Sequence, residues 1–470
     1  MESRRDQVHA YFYVVSRLNA ALMKGRPDPY EPPNHRAMLG FVIGILLAVV
    51  IAGGFGIYGI FRPGGDKSWR QAGVVIAVKE TGARYLLMGD QLRPVLNYSS
   101  ARLVLGGDSD PRMVQVSRES LKGIPVGAPI GIPGAPDSVP AASRLYTGAW
   151  TVCAQPPTPA GAPATTLLLG DVTAPVAVTG NQAFLAQTAD LKTYLIWQGR
   201  RYRLTETAAV ALGYAAVEPA LVTAAWLNPI PPGRDLAFPV VANRGRTGPS
   251  ISGRASTIGQ IYEVQNPASG TSEQFLARGD GFVRLSRTSA ALLLADPAIR
   301  QAYAGGAVVP IPIRPDELAG ATVSKSTELM EGYPPAPPSP VTGGGGLPCV
   351  AFRSSGTTVS VSLSRVSAAA ADAALPVPRL TAAGGTVDRV LIAAGTGVLA
   401  RNPYAPGTPG GALFLITEYG VKHPLRPDGV QALGYSGQTP VDVPSELLEL
   451  LPTGAVLDPA AALQSLVWGG

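Results

Sequence analysis

The sequence predicts an α+β protein: a single N-terminal transmembrane helix followed by an elongated exterior domain of four small hairpin-plus-helix repeats around a central β-sheet. Three observations carry that expectation. Residues 37–61 form a run of 25 residues without a charged side chain, and about 20 apolar residues in helical form cross a hydrocarbon core. One pattern, an apolar strand, a Gly-containing turn and a second apolar strand, then returns four times. Two stretches rich in short alternating strands stand outside that pattern.

The elements follow in chain order. Residues 1–36 hold Val8, Phe12, Val15, Leu18 and Leu22 at helical spacing between Arg4 and Lys24, which gives one apolar face. Such a face needs a partner, either the inner leaflet or the cytoplasmic part of another membrane subunit, and the spacing leaves both open. The basic residues Arg4, Arg5, Arg17, Lys24, Arg26 and Arg36 outnumber Glu2, Asp6, Asp28 and Glu31, so the positive-inside rule keeps this tail cytoplasmic and sends everything after the span outside. Arg62 and Lys67 weigh the other way, but a large domain translocates largely regardless of its charge. A cleaved signal peptide would start nearer the terminus and have a shorter apolar core.

The repeated pattern reads YLLMGDQLRPV (85–95), YLIWQGRRYRL (194–204), FLARGDGFVRL (275–285) and LITEYGVKHPL (415–425). Glycine supplies the positive φ that hairpin turns demand. Leu204, Leu285 and Leu425 each precede a proline by 27 residues (Pro231, Pro312, Pro452), while Val95 precedes Pro125 by 30. Between them, ALGY at 211–214 and at 432–435 marks a short helix ending at Gly. These signals place repeats at 66–137, 181–240, 241–320 and 391–470, with repeats one and two balanced against three and four. The strand-rich stretches 138–180 and 321–390 supply the two parts of the central sheet, and the Pro/Gly run at 334–346 reads as an exposed loop or linker. Cys153 and Cys349 fall one in each part. An oxidising exterior favours their pairing over two free thiols.

Composition fits a turn-rich globular protein: 46% hydrophobic and 15% charged residues, with 55 Gly and 45 Pro. Three histidines and two distant cysteines assemble neither a Cys/His zinc site nor an iron–sulfur site, and a net charge of +6 without a dense basic run gives no nucleic-acid groove. The GxGxxA at Gly395–Ala400 runs into RNPYAPGTPGG, where a dinucleotide site needs a helix. The GPSISGR at Gly248–Arg254 lacks the lysine and the hydroxyl residue of a phosphate loop. His423 lies inside the second strand of the fourth hairpin, where the other copies have Arg93, Tyr202 and Val283, and reads as a strand side chain rather than a base. No catalytic residue, cofactor or metal is expected.

The chain resembles the EccB family, the single-span membrane components of the type VII (ESX) secretion system. The resemblance rests on RRDQVHAY (4–11), KETGARYLLMGDQLRPVLNYSSARLVLG (79–106), GIPGAPDSVP (131–140), WTVCA (150–154), WQGRRYRL (197–204), AWLNPIPPGRDL (225–236) and DGFVRLS (280–286). It implies a cytoplasmic helix, one span, and an exterior domain of repeats around a central sheet held by a disulfide, with the family's cysteines falling on Cys153 and Cys349. It also implies a structural role in the exterior part of a membrane complex with EccC, EccD and EccE, and self-association of the exterior domain. Nucleotide hydrolysis, an activity label the family carries, and binding to peptidoglycan as a cell-wall anchor are the alternatives; the missing Walker A lysine speaks against the first.

Overall fold

The computed structural model describes residues 4–25, 34–61, 68–107, 111–157, 161–171, 175–266, 270–343, 345–356, 358–379, 385–404 and 410–466. They divide into two compact units, one of residues 1–92 and 112–126, the other of residues 93–111 and 127–470.

The smaller unit begins with helices α1 (Arg4–Lys24) and α2 (Asn34–Phe61). Within α2, Met38–Tyr58 has mean hydropathy 2.6 and buries nothing, as expected of a surface made for lipid. Four strands follow: β1 (Val74–Val78), β2 (Arg84–Met88), β3 (Gln91–Pro94) and β4 (Arg112–Val116). They form a sheet in the order β3-β2-β1-β4, with β4 parallel to β1. The β-branched run VVIAV makes β1 the buried central strand, and Trp69, Ile76, Leu92 and Val116 close a small core on it.

The larger unit opens with α3 (Tyr98–Leu105) and strands β5 (Trp150–Gln155), β6 (Ala164–Leu169) and β7 (Val176–Val178). Next come β8 (Gln182–Gln187), β9 (Thr193–Trp197), β10 (Arg200–Leu204), α4 (Glu206–Ala211), β11 (Ala220–Leu221) and α5 (Ala224–Leu227). A hairpin of β12 (Thr247–Ile251) and β13 (Arg254–Thr257) leads to β14 (Ile261–Asn266), β15 (Thr271–Arg278), β16 (Gly281–Leu285), α6 (Arg287–Ala295), β17 (Ile311–Ile313) and α7 (Pro315–Ala319). After β18 (Ser339–Pro340) come β19 (Leu347–Ser355), β20 (Thr358–Val366), α8 (Ala368–Asp372), β21 (Leu375–Pro376) and β22 (Arg389–Ile392). The chain ends with β23 (Val398–Asn402), β24 (Ala412–Ile416), β25 (Lys422–Leu425), α9 (Pro427–Ala432), β26 (Val441–Asp442), α10 (Ser445–Leu448) and α11 (Pro459–Ala462).

Three sheets of this unit run β10-β9-β8-β11, β16-β15-β14-β17 and β25-β24-β23-β26, the connectivity of the first unit's sheet. Each is thus larger than a hairpin plus a helix. A leading strand precedes the hairpin, and after the helix a short strand returns parallel to that leading strand. The returning strands β11, β17 and β26 are two or three residues long, too short for a periodic signal, and the leading strands share no motif.

The proline spacing misleads in the third sheet. Pro231 and Pro452 accept hydrogen bonds from the second hairpin strand, through Arg201 N at 2.9 Å and Lys422 N at 3.0 Å. In the third sheet that position belongs to Thr322, whose carbonyl accepts from Phe282 N at 2.8 Å. Pro312 instead lies within β17, paired to Glu263 of β14. The 3₁₀ turn Pro297–Tyr303 lengthens this connection and shifts the offset.

The expected balance of repeats one and two against three and four also differs from the packing. Buried side chains join Leu195, Leu204 and Leu212 of the second sheet and its helix to Leu276, Leu285 and Leu293 of the third. Leu103 of α3 and Ile132 pack with Leu399, Leu415 and Leu433 of the fourth. Strands from 150–178 and 347–392 form one seven-stranded sheet, β21-β22-β6-β5-β19-β20-β7.

Candidate functional site

The centre of the larger unit is where β5 meets β19. The pair is antiparallel with Cys349 opposite Cys153, Val350 opposite Val152 and Phe352 opposite Trp150. Direct cross-strand neighbours share a face, so the two cysteines lie side by side; their Cα atoms are 4.1 Å apart and both residues are fully buried. Outward from this pair the order is β6 then β22 on one side and β20 then β7 on the other. Each half of the chain therefore gives a later strand, β7 or β22, to the other half's second strand, β20 or β6.

One face of the sheet is clamped by segments from the second and fourth sheets. Trp226 of α5 is fully buried against it, as are Leu447 and Leu448 of α10. The flanking hairpins press on it too. A Cβ on Gly199, at φ +71° in the β9–β10 turn, would come within 2.7 Å of the Val361 Cβ on β20. A Cβ on Gly420, at φ +70° in the β24–β25 turn, would meet a methyl of Val390 on β22 at 2.5 Å. Both turns need glycine for conformation and for space.

The two clamps share their fastenings. Arg201 Nη1 donates to the last carbonyl of α5, Leu227 O, at 3.1 Å. At the same hairpin position, Lys422 Nζ donates to Leu448 O at 2.6 Å and Leu451 O at 2.7 Å, and burial lowers its pKa. A cation at a helix C-terminus satisfies carbonyls that have no partner within the helix. Tyr214 Oη donates to Pro338 O at 2.7 Å and Tyr435 Oη to Pro140 O at 2.6 Å; burial raises the Tyr214 pKa. These tyrosines end the two ALGY motifs. Pro140 and Pro338 lead into the two parts of the central sheet, so each tyrosine pins the entrance to one part.

The remaining residues singled out in the sequence lie apart from this centre. On α1, Val8, Phe12, Leu18 and Leu22 are more than half exposed and Val15 is 36% exposed. Tyr11, three positions from Val8 on the same helical face, adds to that apolar surface, edge-on to Phe12 at 6.0 Å. It was legible from its spacing, as were Arg201 and Lys422 from their common offset to Leu204 and Leu425. Gly248–Arg254 is the β12–β13 hairpin, with Ser252 and Gly253 at its turn, so no helix N-terminus faces a phosphate there. Gly395–Ala400 enters β23. His423 Nδ1 lies 3.0 Å from Ala455 O, and desolvation lowers its pKa. Among the described residues no group of three His, Cys, Asp or Glu could hold a metal.

One apolar span, an exposed amphipathic helix before it, and a strand-rich domain whose polar side chains serve as internal fastenings define a membrane-anchored structural subunit. Residues 2–466 match the family described as type VII secretion system ESX-1, transport TM domain B. The chain belongs to this family, EccB. It is 29% identical to the ESX-3 secretion system ATPase EccB3 of Mycobacterium tuberculosis, over 98% of this chain and 89% of that protein. With the ESX-5 secretion system ATPase EccB5 of Mycobacterium marinum it shares 27% over 98% and 93%. Among solved structures it is similar to a chain of the intact ESX-5 inner membrane complex, with TM-score 0.69, 25% identity and coverage of 100% of this chain and 97% of that one. It is also similar to the EccB3 dimer from the ESX-3 core complex, with TM-score 0.66, 25% identity and coverage of 83% and 99%.

Proposed function

We propose that this chain is a structural subunit of an ESX inner-membrane complex and contributes its extracytoplasmic part. The likeness to the ESX-5 complex chain over the whole length carries this reading. In it, α1 is cytoplasmic and docks through Val8, Phe12, Val15, Leu18 and Leu22 onto the other membrane subunits, EccC, EccD and EccE. Everything from residue 62 onward lies outside and comprises four repeat units and a central sheet, with Cys153 and Cys349 joined. The common strand order of the four sheets and the full burial of both cysteines support this architecture. The exterior domain self-associates, which the EccB3 dimer supports by analogy.

Deleting residues 1–24 tests the docking role. Co-purification with the other membrane subunits should be lost while the exterior domain keeps its melting temperature; an unchanged complex yield rejects the role. Non-reducing mass spectrometry should recover the Cys153 and Cys349 peptides as one species, and two alkylatable thiols would reject that pairing. The relatives' ATPase names support hydrolysis as a second reading, tested by phosphate release from the purified exterior domain, free of the other subunits.

A further inference from the structure

The second face of the central sheet is only partly covered. Helix α8 lies over the cysteine pair, where Ala371 packs with Cys153, Cys349, Leu168 and Val366. One row along, the strand registers align Leu391 with Leu168, Leu168 with Thr151, Thr151 with Ala351 and Ala351 with Ser362. This straight row across five strands changes from alkyl to hydroxyl side chains. Two adjoining cavities open above it and share Gly170 and Asp171: one of about 440 Å³ at the Thr151–Ser362 end, one of about 330 Å³ at the Leu168–Leu391 end. Both sizes fall within the roughly 300–1,000 Å³ of small-molecule sites.

The ends differ in chemistry. The larger cavity is lined by Thr151, Ser360 and Ser362 beside Arg353 and Asp171, with the Ser360 hydroxyl donating to Arg353 O at 3.2 Å. Tyr146 walls it, held with its hydroxyl 3.0 Å from Ala149 O and 3.2 Å from Gly170 O. Among the described residues the guanidinium of Arg353 and the carboxylate of Asp171 make no side-chain hydrogen bond or ion pair, and both act electrostatically on Tyr146. The smaller cavity is lined by Leu168, Leu169, Leu391 and the alanines Ala370, Ala373 and Ala393, with Asp171 as its one charged group.

We propose that this trough binds a neutral amphiphile, a polyhydroxylated head in the larger cavity and a short alkyl segment in the smaller. A guanidinium only donates and a carboxylate only accepts, and sugar-like hydroxyls satisfy both at once. An anionic head would face Asp171, and a cationic one Arg353. The alkyl-lined end gains by removing hydrocarbon from water. The proposal does not depend on the complex in which the chain works.

The test uses the full chain in lipid nanodiscs and a hexyl glucoside with a photoreactive diazirine in its alkyl chain, and labelled peptides are mapped by mass spectrometry. Labelling is expected at residues 168–171 and 370–373, suppressed by unlabelled hexyl glucoside but not by glucose or hexanol at the same concentration. Ser362→Leu, which fills the head end, and the exposed Asp171→Asn should each weaken competition by about tenfold, the scale of one hydrogen bond to a charged group, without changing the melting temperature. Labelling confined to α2, equal suppression by hexanol or by glucose, or wild-type competition by folded Asp171→Asn would each overturn the proposal.

Discussion

The clamp built by residues 181–240 and the clamp built by residues 391–466 hold the same central sheet with different side chains. Trp226 fills in the first the place that Leu447 and Leu448 fill in the second. Arg201 and Lys422 cap the helix behind each. Tyr202 in one hairpin corresponds to His423 in the other, both buried, and each ring lies over a glycine that has no room for a Cβ, Gly233 or Gly454. The tyrosines of the two ALGY motifs keep their identity. The lesson concerns what carries each fastening. Where backbone hydrogen bonds hold an element, as from Arg201 N to Pro231 O and Lys422 N to Pro452 O, the side chain is free to change. Where the side chain is itself the tie, its chemistry stays: a phenol in Tyr214 and Tyr435, a cation in Arg201 and Lys422.

Several substitutions would break or refine that equivalence. Replacing both Cys153 and Cys349 by serine removes the link between the halves. For a separation of 196 residues the chain-entropy limit is about 5 kcal/mol, read as the difference in urea unfolding with wild type under oxidising conditions. Trp226→Ala should cost about 3–5 kcal/mol and Leu447→Ala about 2–5 kcal/mol; if thermal unfolding shows a loss from only one of them, the two clamps are unequal. Tyr214→Phe and Tyr435→Phe each leave a buried proline carbonyl without its donor and should cost about 1–3 kcal/mol. A difference of more than about 1 kcal/mol between them would mean that one entrance is held by other contacts.

A smaller, pH-dependent difference should separate the clamps. Above about pH 6.5 the His423 imidazole is neutral in folded and unfolded chains. As the pH falls through that value the unfolded chain takes up a proton that the buried ring resists, so stability declines toward acid. His423→Tyr, which copies Tyr202, should flatten this part of the stability profile; an unchanged acid slope would assign it to other groups. Arg200→Glu should have the smallest effect, within about 0.5 kcal/mol, because that side chain is exposed at the strand end, with a 3.4 Å contact to Pro232 O.

The span, the four hairpins and the two strand-rich stretches were legible because each carries a local signal: an uncharged run, a turn glycine, an alternating pattern. The returning strands were not, since pairs such as Ala220–Leu221 are fixed by their partner strand and not by their own composition. The offset at Pro312 failed because a sequence interval does not report a 3₁₀ turn within it. Of the candidate residues, Cys153 and Cys349 could be singled out by scarcity and the α1 stripe by period. The roles of Tyr214 and Tyr435 stayed hidden inside a motif that reads as a helix end, because the carbonyls they reach lie 124 and 295 residues away.

The exchange of β7 and β22 between the halves bears on how the molecule is made. A chain emerging N-terminus first presents β5 and β6 with their outer edges open until β19 and β22 have followed, and unpaired edges of this kind recruit other chains. With Cys349 lying 196 residues after Cys153, nearly half the protein must be delivered before the centre can close. Assembly of the sheet is thus governed by the arrival of the last part of the chain, and a truncation that spares every residue of the first half would still leave that half unfinished.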